Sequence, residues 1–250
     1  MAETARNIKL VIEYDGTGFS GWQRLSRGRS IQGEIEQAIR AVTREKVNIT
    51  GAGRTDAGVH ALGQVANFKL EHRLPISSIP SALNAHLPEE IRIVGADEVE
   101  SDFHARYSAT GRTYRYAVLN RPSPSAILRH RAYHVRAPLD VDTMSAALAS
   151  LRGRHAFTAF RAVGSSERST ECDLRRADVA RSGEMVIFTF EADRFLRHMV
   201  RLIVGTLLKV GRGKLTPNVV AEILEGEDNQ RAGPRAPAHG LYLVKVDYAG

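Results

Sequence analysis

Apolar and polar positions alternate with period two in several short runs and recur every three or four residues in longer ones. Over residues 7–15, Ile8, Leu10, Ile12 and Tyr14 share one side and predict a strand. From Ser30 onward Ile31, Ile35, Ala38, Ile39 and Val42 keep helical spacing, which predicts a helix capped by the Ser30 hydroxyl and ending near Lys46. Short strands are expected over 47–49, 64–70 and 91–99, with a short helix over 79–86. The clearest strand spans 112–119 and puts Tyr114, Tyr116 and Val118 on one face. Asp140 opens a second amphipathic helix through Met144, Ala147, Leu148 and Leu151, with Gly153 just beyond its end. Strands over 174–181 and 184–191 precede the most apolar helix, 195–210, in which Arg197 and Arg201 would lie one turn apart on one stripe. Thr216-Pro217 starts a helix closed by Gly226, and a final strand spans 241–248. Strand, helix and further strands recur in both halves. The expected fold is therefore α+β, two lobes (1–103 and 104–250) with mainly antiparallel sheets.

Charge adds a partner class to this picture. The formal net charge is +7, and 29 of the 35 basic residues are arginine, whose planar fork suits phosphates and base faces. A GC-rich genome would also produce such a bias, so charge alone leaves a nucleic-acid partner open. The loop over 16–29 holds Phe19 and Trp22 among glycines and carries Arg24, Arg27 and Arg29 at its tip. The aromatics are expected inward and the arginines outward, where they could dock against a nucleic-acid backbone. Cys172 is the only cysteine, which rules out a disulfide framework and a zinc–thiolate cluster and fits a reducing cytoplasm. The longest apolar run, 202–208, falls far short of the roughly 20 residues that cross a bilayer, and Glu3, Arg6 and Lys9 interrupt any leader-like segment at the N-terminus.

The candidate chemistry concentrates in one stretch, 51–68, where Gly51, Gly53, Gly58 and Gly63 frame Arg54, Asp56 and His60. A dinucleotide fingerprint needs glycine or alanine at the Asp56 position and a helix directly after it, whereas a strand pattern follows. His130 and His134 lie in a strand-like run with no carboxylate between them and do not form a metal set. A serine-hydrolase elbow is missing, as is a second carboxylate near Asp56 in sequence for glycoside hydrolysis. What remains is one carboxylate two residues after an arginine. A neighbouring guanidinium favours the charged carboxylate, which suits a nucleophile. A simple ion pair in a surface turn is the competing reading.

The segment 53–61 followed by Gln64-Val65 resembles the signature of the tRNA pseudouridine synthase A family. The likeness extends through 13–19, 21–23, 103–106, 114–116, 134–136, Phe157 with 160–162, 195–201 and 240–243, in family order. Two places depart from the family pattern: Leu202 stands where asparagine is usual, and 162–176 lacks the usual cysteine and proline. The resemblance implies isomerisation of uridine to pseudouridine at positions 38–40 of the tRNA anticodon stem-loop, with neither cofactor nor metal. It places the nucleophile on Asp56, its arginine on Arg54, the active-site tyrosine on Tyr114, a second basic residue on Arg201 and a uracil-pocket residue on Leu241. It also implies a homodimer with tRNA across both subunits, and a sheet shared by two lobes with helices on one side and a cleft between them. A tRNA-binding or tRNA-folding protein without catalysis is the alternative of a different class.

Overall fold

In the computed structural model, residues 5–26, 28–165, 169–226 and 229–249 are described. The chain forms two compact units, Met1–Thr110 with Leu243–Gly250, and Gly111–Tyr242. Ten strands and five α-helices among the described residues make the fold α+β, and of the seven strand pairs described within the units six are antiparallel.

In the first unit, β1 (Arg6–Tyr14) buries Ile8, Leu10, Ile12 and Tyr14, following the alternation of the sequence. Helix α1 (Ile31–Thr43) begins where Ser30 accepts a hydrogen bond from the Gly33 amide at 3.2 Å and turns Ile31, Ile35, Ala38 and Ile39 inward. It ends before Lys46 because Arg44 adopts a left-handed conformation, φ 65°. The strand expected over 47–49 is absent. Glu36 Oε1 accepts the Ile49 amide at 3.1 Å, and Gln32 Nε2 donates to the Ile49 carbonyl, so side chains satisfy this backbone in place of a ladder. Strand β2 (Thr50–Gly51) follows and pairs with β3 (His60–Leu70). Strand β3 starts four residues earlier than the pattern suggested, inside the glycine-rich stretch. Helix α2 (Ile79–Asn84) leads to β4 (Ile91–Val99), and β1 lies between β3 and β4.

The second unit begins with β5 (Ala109–Asn120), whose last residues pair in parallel with β6 (Tyr133–Val135). Helix α3 (Val141–Leu148) is capped by Asp140. Strands β7 (Gly153–Ala156), β8 (Glu171–Ser182) and β9 (Met185–Ala192) extend the order β5-β9-β8-β7. Helix α4 (Met199–Gly211) is almost wholly buried. It starts four residues later than expected, because His198 is left-handed at φ 66°. Arg197 thus precedes the helix, and its expected stripe with Arg201 does not form. Helix α5 (Val219–Gly226) begins two residues after Pro217, and β10 (Leu241–Tyr248) closes the chain.

Candidate active site

In the first unit the turn bearing Arg54 and Asp56 is fixed by its neighbours. Thr55 is buried between two outward residues, Arg54 exposed and Asp56 half-buried. The Thr55 hydroxyl meets the Tyr14 hydroxyl at 2.7 Å, and its carbonyl accepts the Trp22 amide at 3.0 Å. Gln64 Nε2 donates to the Gly53 carbonyl at 2.8 Å, and the Ala52 amide to the Val65 carbonyl at 2.7 Å. The Asp56 carbonyl accepts the Val59 amide across a turn that Gly58 closes at φ 78°.

Glycine is required where the 16–29 loop closes on this turn. A Cβ on Gly21 would sit 2.7 Å from the Thr55 carbonyl oxygen, and one on Gly51 would sit 2.5 Å from the Trp22 indole. Phe19 and Trp22 are buried, as the sequence suggested. The Gly16 amide donates to His60 Nδ1 at 3.1 Å. That nitrogen also lies 3.1 Å from Asp15 Oδ1. With Nδ1 accepting from Gly16, the aspartate contact is not read as an ion pair, because one nitrogen cannot accept there and donate to a carboxylate at once.

The tip arginines are exposed but paired. Arg24 reaches Glu36 at 2.7 Å, and Arg29 reaches Glu34 at 3.0 Å while its guanidinium lies 4.8 Å over the Phe19 ring. Arg27 lies outside the described residues.

In the second unit Tyr114 lies on β5 opposite Phe190, half-buried, its ring edge-on to Phe195 at 5.0 Å. Two residues on, Tyr116 is fully buried and donates to the Pro237 carbonyl at 2.8 Å. Burial pushes its hydroxyl well above the ordinary tyrosine range, against the opposing charge of Arg201. Arg201 is buried in the first turn of α4. Its Nε donates to the Ala236 carbonyl at 2.7 Å, and its own carbonyl accepts the Ala236 amide at 3.0 Å.

The segment 233–237 runs so close to α4 that a Cβ on Gly205 would lie 1.7 Å from the Pro234 carbonyl oxygen. Leu241, just past the segment, is buried at the start of β10. The structure therefore brings Arg54 with Asp56 in one unit, and Tyr114, Arg201 and Leu241 in the other. Tyr14, Thr55, Gln64 and Tyr116 stood in family-like blocks of the sequence without a role, and only their contacts in the fold single them out.

No helix is long and apolar enough to cross a membrane, and no cluster of three metal-ligating side chains occurs, among the described residues. The family model described as tRNA pseudouridine synthase matches residues 10–108 and 147–249, and so both the Asp56 turn and Arg201. Tyr114 falls between the two matched stretches. The chain is 48% identical over 243 residues to tRNA pseudouridine synthase A of Acetivibrio thermocellus, covering 97% of this chain and 100% of that protein. It is 46% identical to tRNA pseudouridine synthase A 2 of Clostridium perfringens, and 44% identical to tRNA pseudouridine synthase A of Thermoanaerobacter sp., with the same coverage. By sequence match over nearly its whole length, the chain belongs to the tRNA pseudouridine synthase family, a family of isomerases.

Proposed function

We propose that this enzyme converts uridine to pseudouridine at positions 38–40 of the tRNA anticodon stem-loop, with Asp56 as nucleophile. One observation carries the reading. Asp56 is half-exposed on a turn fixed by the buried Thr55 and by hydrogen bonds at Ala52, Gly53 and Thr55, which holds a carboxylate in a set place within reach of solvent.

The target base is stacked in the anticodon arm and is flipped out to react. The Asp56 carboxylate attacks ribose C1′, and the C1′–N1 bond breaks with its electrons going to uracil. The base turns within the site, and its C5 displaces the carboxylate from C1′. The C5 proton then leaves and N1 gains one, so the step is an isomerisation and consumes no co-reactant. Arg54 orients Asp56 toward the ribose. Tyr114, propped edge-on by Phe195, stacks on the extruded uracil and assists removal of the C5 proton. Arg201 lends positive charge from a buried position, and Leu241 lines the uracil pocket. Loop arginines 24, 27 and 29 contact tRNA phosphates, Arg24 and Arg29 exchanging their carboxylate partners for them. The enzyme acts in the cytoplasm as a homodimer.

The test uses tRNA tritiated at uridine C5. Asp56→Asn should lower tritium release by about 10⁴-fold or more, as loss of a nucleophile does, and leave tRNA binding intact. Normal turnover by the variant would refute the assignment. A wild type that binds tRNA and releases no tritium would make the chain a binding protein.

A further inference from the structure

The second unit holds a cavity of about 410 Å³ beside the first turn of α4. Its lining includes Arg161, Arg197, Arg235, His198, Val163 and Leu202. Three arginines line it from three separate segments: the loop after Phe160, the residues ahead of α4, and the segment that holds Arg201.

The walls are joined by backbone. The Ala162 amide donates to the Arg197 carbonyl at 3.0 Å, and the Ala236 amide to the Arg201 carbonyl at 3.0 Å. Arg235 Nη1 lies 3.0 and 3.1 Å from the two ring nitrogens of His198. Among the described residues His198 is one of two non-glycine residues with positive φ, a conformation that costs on the order of 1–3 kcal/mol and that surrounding structure must sustain. Its side chain does not cap α4. Here the strained backbone starts the helix and sets the imidazole against Arg235 in the cavity wall. Guanidinium forks match phosphate oxygens two at a time. The positive end of α4 adds to the same field.

We propose that this cavity seats a backbone phosphodiester of the tRNA strand, held by Arg161, Arg197 and Arg235, with exposed Val163 giving the adjoining ribose an apolar surface. The proposal rests on the reading of the chain as a tRNA-modifying enzyme. It makes the three arginines positioning residues for RNA, distinct from the groups assigned to bond cleavage. Neither Arg161 nor Arg235 shows its role in sequence, since they lie 74 positions apart and meet only through the fold.

The experiment compares two triple variants in the full chain, with unmodified tRNA as the probe. One is Arg161→Gln, Arg197→Gln, Arg235→Gln. The control is Arg121→Gln, Arg152→Gln, Arg176→Gln, which removes the same formal charge from arginines of this unit that are paired with Glu184 or Asp178. Filter binding over a range of KCl gives affinity and its salt slope.

Loss of one seated phosphate should reduce the slope by about 0.7–0.9, and the cavity variant should bind about 10- to 100-fold more weakly than wild type at a fixed salt. Tritium release should show a raised KM with kcat changed much less. Equal affinity and slope in the cavity and control variants would overturn the proposal, as would a fall in kcat with binding unchanged. If the cavity triple does not fold, single Arg197→Gln and Arg235→Gln, both at exposed positions, carry the test, each expected to weaken binding about 3- to 10-fold. Wild-type binding that equals either single variant would then overturn it. A wild type inactive in tritium release would strike at the catalytic reading and leave the binding comparison standing.

Discussion

The turn that presents Asp56 and the segment that holds Arg201 each fix one charged residue, by opposite means. At the turn, the supporting bonds pass through backbone and through Thr55, Tyr14 and Gln64, and Asp56 stays half-exposed. Arg201 is buried, and its own guanidinium supplies a bond to the Ala236 carbonyl. The first arrangement draws this support from neighbouring residues. The second draws it from the charged side chain itself, so removing Arg201 disturbs the fold together with any role in the reaction. An activity loss at Arg201 therefore says little about catalysis until stability has been measured.

Arg201→Met tests this contrast most strongly. Methionine keeps much of the volume but leaves the Ala236 carbonyl without its donor in a buried place, beside a segment pressed closely on α4. The expected cost is about 2–4 kcal/mol of unfolding free energy in urea. Asp56→Asn should stay within about 0.5 kcal/mol of wild type in the same measurement, since it keeps the shape of a half-exposed side chain. Equal costs at the two positions would break the comparison.

Tyr14→Phe probes the supporting side of the turn. It removes one hydroxyl of a buried pair and leaves Thr55 Oγ1 without that partner, which should cost about 1 kcal/mol. If Thr55 sets the aim of Asp56, kcat should fall several-fold while tRNA affinity holds. An unchanged kcat alongside the stability loss would mean that the backbone bonds of Gly53, Thr55 and Val59 suffice to hold the turn.

These contacts explain how far the sequence could be read. Alternation gave β1, β4 and β10 nearly to the residue, because one face of each meets a core. It failed at 47–49, where Val47 and Ile49 are buried as a strand would bury them, but Glu36 takes the Ile49 amide. It also failed at the start of α4: Phe195 and Leu196 continue the helical pattern, and only the left-handed His198 interrupts it. The Asp56 turn stood out as a candidate because four glycines frame its charged centre. Tyr14, Gln64 and Tyr116 did not, since their partners lie 41, 11 and 121 positions away and exist only after folding.

Tyr116 gives the mildest test, on the Arg201 side. Burial raises its pKa above the ordinary tyrosine value of about 10. Above that pH the unfolded chain releases the phenolic proton and the native state keeps it, so the unfolded state binds fewer protons. Stability is then fully present below about pH 10 and falls as pH rises past it, at about 1.4 kcal/mol per pH unit from this one group. Tyr116→Phe should remove that contribution from the alkaline slope, while costing about 1 kcal/mol at neutral pH for the lost bond to Pro237. The carboxylate side of the comparison predicts no matching change: Asp56→Asn should leave the slope between pH 9 and 11 as in wild type. Urea unfolding across that range for the three proteins decides it. A Tyr116→Phe slope equal to wild type would mean that the hydroxyl ionises as readily in the native state as in the unfolded chain, and that Arg201 and the 233–237 segment enclose it less tightly than their contacts indicate.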